Sequence, residues 1–237
     1  MHRLSGAGRL LTGAVVCLTV LFVAPAASAR PSVAPLTAQP HGLSYDEWGA
    51  RWYQWALGTP VSENPFAGAD CSGGQTGHVW FLHGVFGAGE AQRTCSVPTG
   101  AALFFPLLNN AYFAFLNDSP ETRTEDFVRA MATCDADSVA VSIDGIPVRD
   151  ADRYYVDARE TSLFDVQLPA NNILGLTEED AEDLLLSPSA HSGYYLFLHP
   201  LPPGTHTIEW HAGGECGLPD AQQDISYTIE VVPGRRL

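Results

Sequence analysis

A chain of 237 residues, 46% of them apolar and only 16% charged, is long enough to bury a sizeable core in one domain. Its charge is one-sided, with 27 acidic residues against 12 basic ones and a formal net charge of −15. Every basic residue is arginine, and such a surface repels phosphate backbones and anionic headgroups, which excludes nucleic acid and membrane surfaces as expected partners.

At the N-terminus, Arg3 and Arg9 precede the apolar run Leu10–Ala24 and then Ala27-Ser28-Ala29, a small-x-small cleavage site. This is the pattern of a secretory signal peptide over residues 1–29, cut after Ala29, and it predicts a secreted protein with no membrane insertion once the peptide is removed. The apolar run is too short to span a bilayer comfortably. Cys17 lies inside it behind two valines, a context that argues against a lipid anchor. Residues 30–43 carry proline and alanine without an apolar period and read as a flexible leader. Residues 44–237 show no repeat and no dividing linker, so they read as a single β-rich domain.

The first element is "SYDEWGARWYQWALGTP", Ser44–Pro60. Ser44 with Glu47 forms a capping box, Asp46 suits the positive end of a helix, and Gly58 and Pro60 stop it. At a hundred degrees per residue, Tyr45, Trp48, Trp52 and Trp55 fall within an arc of about 80°. The stripe fits a helix laid on a sheet better than an open sugar platform. Gly49 beside it leaves room for a second element to approach.

Beyond this helix the periods turn to β. Val79–Phe86, "VWFLHGVF", is a continuous apolar run suited to a strand covered on both faces. Arg93–Val97 and "AALFFPLL" (Ala101–Leu108) follow, and Pro106, Asn109 and Asn110 argue against a membrane span in the second. Thr122 with Glu125 predicts a short helix through Phe127, Val128 and Met131. Ser138–Val148 holds an Asp144-Gly145 hairpin signal, and Tyr154–Ala158 and Ser162–Leu168 read as strands. Thr177–Leu186 reads as a short helix or a loop. Three further strands, "GYYLFLHP", "GTHTIEWHAG" and "DISYTIEVV", close the chain. The predicted fold is mainly β, a β-sandwich or jelly roll with an N-terminal Trp-rich helix and one further short helix.

Four cysteines follow the leader: Cys71, Cys95, Cys134 and Cys216. In an exported protein they imply two disulfides, for which three pairings are open. Cys71–Cys95 with Cys134–Cys216 is the expectation, because it closes the shorter loop first.

No nucleophile elbow, zincin motif, P-loop or dinucleotide fingerprint occurs in the sequence. Two constellations remain as candidate binding residues. If Pro200–Thr205 were a hairpin loop, His199 would face His206, Phe197 would face Ile208, and Tyr195 would face Trp210. Two histidines would then end an aromatic row. A metal would need a third ligand such as Asp70 or His78, so hydrogen-bonded fillers are the simpler reading, and neither a metal nor a cofactor is expected. The loop "DCSGGQTGH" is the second constellation. Asp70, Gln75 and His78, with Arg93 drawn close by a Cys71–Cys95 bridge, could hold a polar ligand or a carboxylate. The alternative is a structural tie in which Arg93 pairs with Asp70. The acidic stretch from Glu178 to Asp183, and Asp135 with Asp137, lack calcium-loop spacing and read as solvated faces.

Several segments in fixed order carry a likeness: "WYQWALGTP", "ENPF", "CSGGQTGHVWFLHG", "RTCSVPTGAALFFP" and "PLPPGTHTIEW". Together they resemble a group of exported bacterial proteins, actinobacterial in type, for which no activity is established. The likeness runs from about Trp48 to Val232. It implies export and a single domain, and it carries over no catalytic residue.

The leading expectation is a secreted, disulfide-stabilised β-sandwich that binds an extracellular carbohydrate or another polar ligand. One alternative is a secreted polysaccharide hydrolase or lyase, for which Glu209 and Asp165 are available as paired carboxylates. Another is a non-catalytic interaction protein of the cell envelope, which would carry an exposed apolar patch.

Overall fold

The computed structural model describes residues 32–233 and His2. The signal peptide, its cleavage site and Cys17 therefore lie outside the described residues. Two α-helices and ten strands occur among them: α1 (Tyr45–Gly58), β1 (Val79–Phe81), β2 (Gly89–Pro98), β3 (Ala102–Phe115), α2 (Glu125–Met131), β4 (Cys134–Ile143), β5 (Ile146–Pro147), β6 (Tyr155–Val156), β7 (Phe164–Gln167), β8 (Leu185–Leu198), β9 (Gly204–Cys216) and β10 (Ala221–Val232).

The capping box of α1 is made as the sequence expects. The Ser44 hydroxyl accepts from the Glu47 N–H, and the Glu47 carboxylate accepts from the Ser44 N–H. Tyr45, Trp48, Trp52 and Trp55 are all buried. The open end of α1 is held by side chains: Thr59 donates to the Trp55 carbonyl, and Asn64 donates to the carbonyls of Ala56 and Thr59.

The strands form two mixed sheets packed face to face. The first runs β1-β3-β8-β6, with β7 also paired to β8, and the second runs β2-β10-β9-β4-β5. β1 lies parallel to β3 and β2 parallel to β10, while the other pairs are antiparallel. Alternation sorts the side chains. Leu103, Phe105, Leu196 and Leu198 point inward against Ile208, Trp210, Tyr227 and Ile229 of the second sheet. Ala102, Phe104, Tyr195 and Phe197 point outward beneath α1. The first sheet is thus covered on both faces, which explains why the first half of β3 (102–108) and the last residues of β8 (194–198) read as unbroken apolar runs. The second sheet has one open face, and β10 shows the matching alternation of buried and exposed residues.

Gly49 is where helix and sheet come closest, because a Cβ there would lie 2.3 Å from the His191 ring. That ring is fully buried between Asp46 and the Tyr195 hydroxyl, which is 3.0 Å from Nδ1.

Four expectations are corrected. From Ser32 onward the stretch read as a flexible leader is packed: Val33 bridges Leu198, Ala34 donates to the Phe197 carbonyl, and the Tyr45 hydroxyl donates to the Ala34 carbonyl at 2.6 Å. The strand expected over Val79–Phe86 stops at Phe81, after which the chain leaves the sheet. Thr124, not Thr122, caps α2, since its hydroxyl accepts from the Phe127 N–H while Thr122 donates to the Ser119 carbonyl. Most important, β8 and β9 are not a hairpin. They belong to different sheets, so the segment between them crosses the sandwich and His199 does not face His206.

Both disulfides join the cysteines as expected, Cys71 to Cys95 and Cys134 to Cys216. They fit an oxidising compartment. Among the described residues, no helix is long and apolar enough to cross a membrane.

Candidate functional site

A mostly apolar cleft opens at an irregularity in β3. Pro106 lies opposite Tyr195 and Leu108 opposite Tyr194, so Leu107 is an extra residue in the ladder. Leu107 and Leu108 both enter the core between the sheets. The alternation is thereby shifted, and the next two side chains separate. Asn109 reaches Tyr53 of α1, its Nδ2 donating to the hydroxyl at 2.7 Å. Asn110 turns to the other side and donates to the carbonyls of Met131 and Thr133. Opposite the bulge stands Gly193 at φ 148°, where a Cβ would fall 2.5 Å from the Leu108 carbonyl oxygen. Only glycine tolerates this approach.

The cleft beside this bulge measures about 290 Å³, near the small end of ligand sites. One wall is α1, through Trp52, Tyr53, Ala56 and Leu57, and Phe66 continues it. The opposite wall is the turn from Cys216 to Ala221. A third side is the segment 84–87, which is fastened from the second sheet. The Gln223 amide accepts from the Val85 N–H and donates to the carbonyls of Val85 and Gly87. The Tyr227 hydroxyl donates to the His83 carbonyl, and Arg93 donates to the Gly84 carbonyl at 3.1 Å. At the mouth stand Phe86, Leu174 and Leu218, exposed by 60%, 44% and 55%. No carboxylate lines the cleft.

Behind it lies a chain of buried polar groups. The Tyr53 ring packs 5.8 Å from that of His191, Tyr195 is hydrogen-bonded to His191, and His191 Nε2 lies 3.0 Å from the Asp46 carbonyl oxygen. Burial raises both tyrosine pKa values well above the ordinary range, so the two hydroxyls stay protonated. At the cleft floor, Tyr53 and Asn109 therefore present neutral hydrogen-bonding groups.

His83 sits just behind this wall, its ring centroid 4.0 Å from that of Phe66. Burial first, and then the nearby Arg93 guanidinium, push its pKa down to about 3 from 6.5, against the pull of the Gly84 carbonyl. Below about pH 6.5 the unfolded chain takes up a proton that folded His83 refuses. This contribution to stability is therefore complete above that pH and falls by up to about 1.4 kcal/mol per pH unit toward pH 3. The lowered carboxylates Asp70, Asp157, Asp180 and Asp224 keep their own contribution above their ordinary value of 3.8 and lose it only as the pH falls past it, well below pH 5. Urea unfolding at about pH 5 and pH 7 should show a smaller pH slope for His83→Gln than for the wild type. Equal slopes would remove His83 as the cause.

The residues singled out by sequence do not converge. Gln75 acts as a false strand neighbour at the edge of β1: its Oε1 accepts from the Phe81 N–H, and its Nε2 donates to the carbonyls of Phe81 and Cys71. Asp70 accepts from the Ser72 N–H in a local turn. Arg93 pairs with the Gly84 carbonyl and lies over the Tyr227 ring rather than meeting Asp70. His206 is buried between the Asp144 carboxylate at 2.8 Å and the Pro202 carbonyl at 2.9 Å. His199 is exposed beside Phe197. His78 alone borders a hollow, next to His41. Among the described residues no group of three metal-ligating side chains comes together. Asn109, Tyr53, Phe66 and Phe86 were missed. The signal available for them was "PLLNN", two amides directly after an apolar strand broken by proline.

No family model matches this chain, and neither a curated protein nor a solved structure does. The site therefore rests on its own geometry.

Proposed function

We infer that this is an exported ligand-binding protein whose cleft takes a small molecule with an apolar body and one neutral hydrogen-bonding end. The observation that carries the reading is the convergence of Phe86, Leu174 and Leu218, three of the seven large apolar side chains left exposed among the described residues, on the mouth of an apolar cleft lined by Tyr53 and Asn109. Leaving such side chains in water is unfavourable, and a ligand that covers them recovers the loss. Export is supported by the signal-peptide pattern at the N-terminus and by the two disulfides.

The carbohydrate expected from the sequence finds little to stack on in this cleft, since all five tryptophans are buried. A polar ligand has another place to go, the hollow beside His78. The paired-carboxylate chemistry of a hydrolase or lyase has no support here, because Asp165 is on β7 and Glu209 on the second sheet. An envelope partner inserting an apolar side chain would use the same rim and would compete with a small ligand for it.

Titration of the tryptophan fluorescence with 1-octanol and with 4-butylphenol tests the cleft. Both should bind. Phe86→Ala removes a side chain that is 60% exposed and stacked on Phe66, and should weaken each by about tenfold, equivalent to ~1.4 kcal/mol of lost apolar contact. Failure of both probes to bind, or unchanged affinity in the variant, would dismiss the reading.

A further inference from the structure

A second hollow, separate from the cleft, runs along the opposite flank of the α1 indoles and measures about 520 Å³. Three distant stretches of chain meet there. His41 comes from the turn before α1, Trp48, Arg51 and Gln54 come from α1, and Thr76 and His78 come from the glycine-containing loop before β1.

Its charge is the reverse of the molecule's. In a chain with 27 acidic and 12 basic residues, this hollow has an arginine and two histidines along its walls and no carboxylate. The Arg51 guanidinium lies 5.7 Å from the Trp48 ring centroid and makes no ion pair among the described residues. The carboxylates nearest in sequence are engaged elsewhere: Glu47 closes the capping box on Ser44, and Asp46 accepts from the Ser162 N–H and faces His191. The rings of His41 and His78 stand nearly parallel, 6.4 Å apart. Thr76, Gly77 and His78 all line the hollow, their backbone N–H groups meet no acceptor among the described residues, and Gly77 at φ 75° turns the chain there. Successive unused N–H groups in such a turn make an anion-binding concavity, and a guanidinium is the side chain best matched to a carboxylate or sulfate.

We propose that this hollow is a binding site for an oxyanion, the carboxylate or sulfate group of a saccharide-sized polar ligand. The charged group sits against Arg51 and the Thr76–His78 amides, and the body of the ligand lies along the edge of Trp48 beside Gln54. With no carboxylate on the walls of the hollow and no ion pair to break, Arg51 is available to the ligand.

Calorimetric titration of the exported chain with trigalacturonate, with a sulfated trisaccharide and with neutral maltotriose tests this. At least one charged trisaccharide should bind and maltotriose should not; which of the two binds identifies the oxyanion. Arg51→Gln should weaken the binding by about tenfold, whereas Arg149→Gln, an exposed arginine elsewhere, should leave it unchanged. Equal binding of maltotriose, no binding of either charged sugar, or an unaffected Arg51→Gln variant would each overturn the proposal. Inorganic sulfate binding as tightly as the sugars would overturn the saccharide part. Because Phe86 lies outside this hollow, Phe86→Ala should bind the charged sugar like the wild type, which separates this test from that of the apolar cleft.

Discussion

Replacing Cys134 and Cys216 together by serine is expected to cost about 4.5 kcal/mol of stability, a large part of the ~5–15 kcal/mol that holds a domain folded. The two cysteines are 82 residues apart in sequence, so their bond removes much of the freedom of the unfolded chain. They also stand directly opposite each other in the ladder between β4 and β9. Cys71 and Cys95 are only 24 residues apart, and on the same loop-closure reasoning their removal should cost about 3.5 kcal/mol. Guanidinium unfolding of the two double variants measures both losses. Cys216 also lines the cleft, so the first variant should lose 4-butylphenol binding before it unfolds, while the second should keep it. No loss of stability in either variant would show that packing alone holds the sheets in place.

Trp52→Ala should be the most damaging single change in α1, at about 3–5 kcal/mol. Its indole is buried against Tyr53, Trp55 and Phe66, with ring centroids 4.9, 6.2 and 5.9 Å away. Its N–H donates to the Leu82 carbonyl at 2.8 Å, just where the chain leaves β1 for the wall of the cleft. Truncation removes apolar contact, leaves a buried carbonyl without its donor and extends the cleft inward. Trp52→Phe keeps most of the ring and should lose only about 1–2 kcal/mol, chiefly through the hydrogen bond. Urea midpoints of the two variants rank these effects. A Trp52→Ala protein as stable as the wild type would mean that the helix is not packed on the sheet as described.

What the sequence revealed was mostly local. The cap of α1, its aromatic stripe and the Asp144-Gly145 turn all depend on residues within a few positions of one another, and all are found. The partition of strands between sheets depends on distant partners, and there the assumption that neighbours in sequence pair in space misled. A physical clue lay in the periods. "GYYLFLHP" is apolar throughout, as in a sheet covered on both faces, whereas "GTHTIEWHAG" alternates, as in a sheet with one wet face. Two strands with different periods belong in different sheets. His199 and His206 were therefore never neighbours across a hairpin. The cleft was harder to see, because its floor depends on one extra residue in β3 and its wall on an amide from β10, features that no short-range pattern encodes.

The fastening of segment 84–87 by Gln223 has a mechanical consequence. One rim of the cleft moves with one layer of the sandwich, while the helix and the bulged strand ride on the other. Sliding of one layer past the other by an ångström would change the width of the entrance by a similar amount. A guest lodged there would act as a wedge, resisting shear between layers that are otherwise bound mainly by greasy contact.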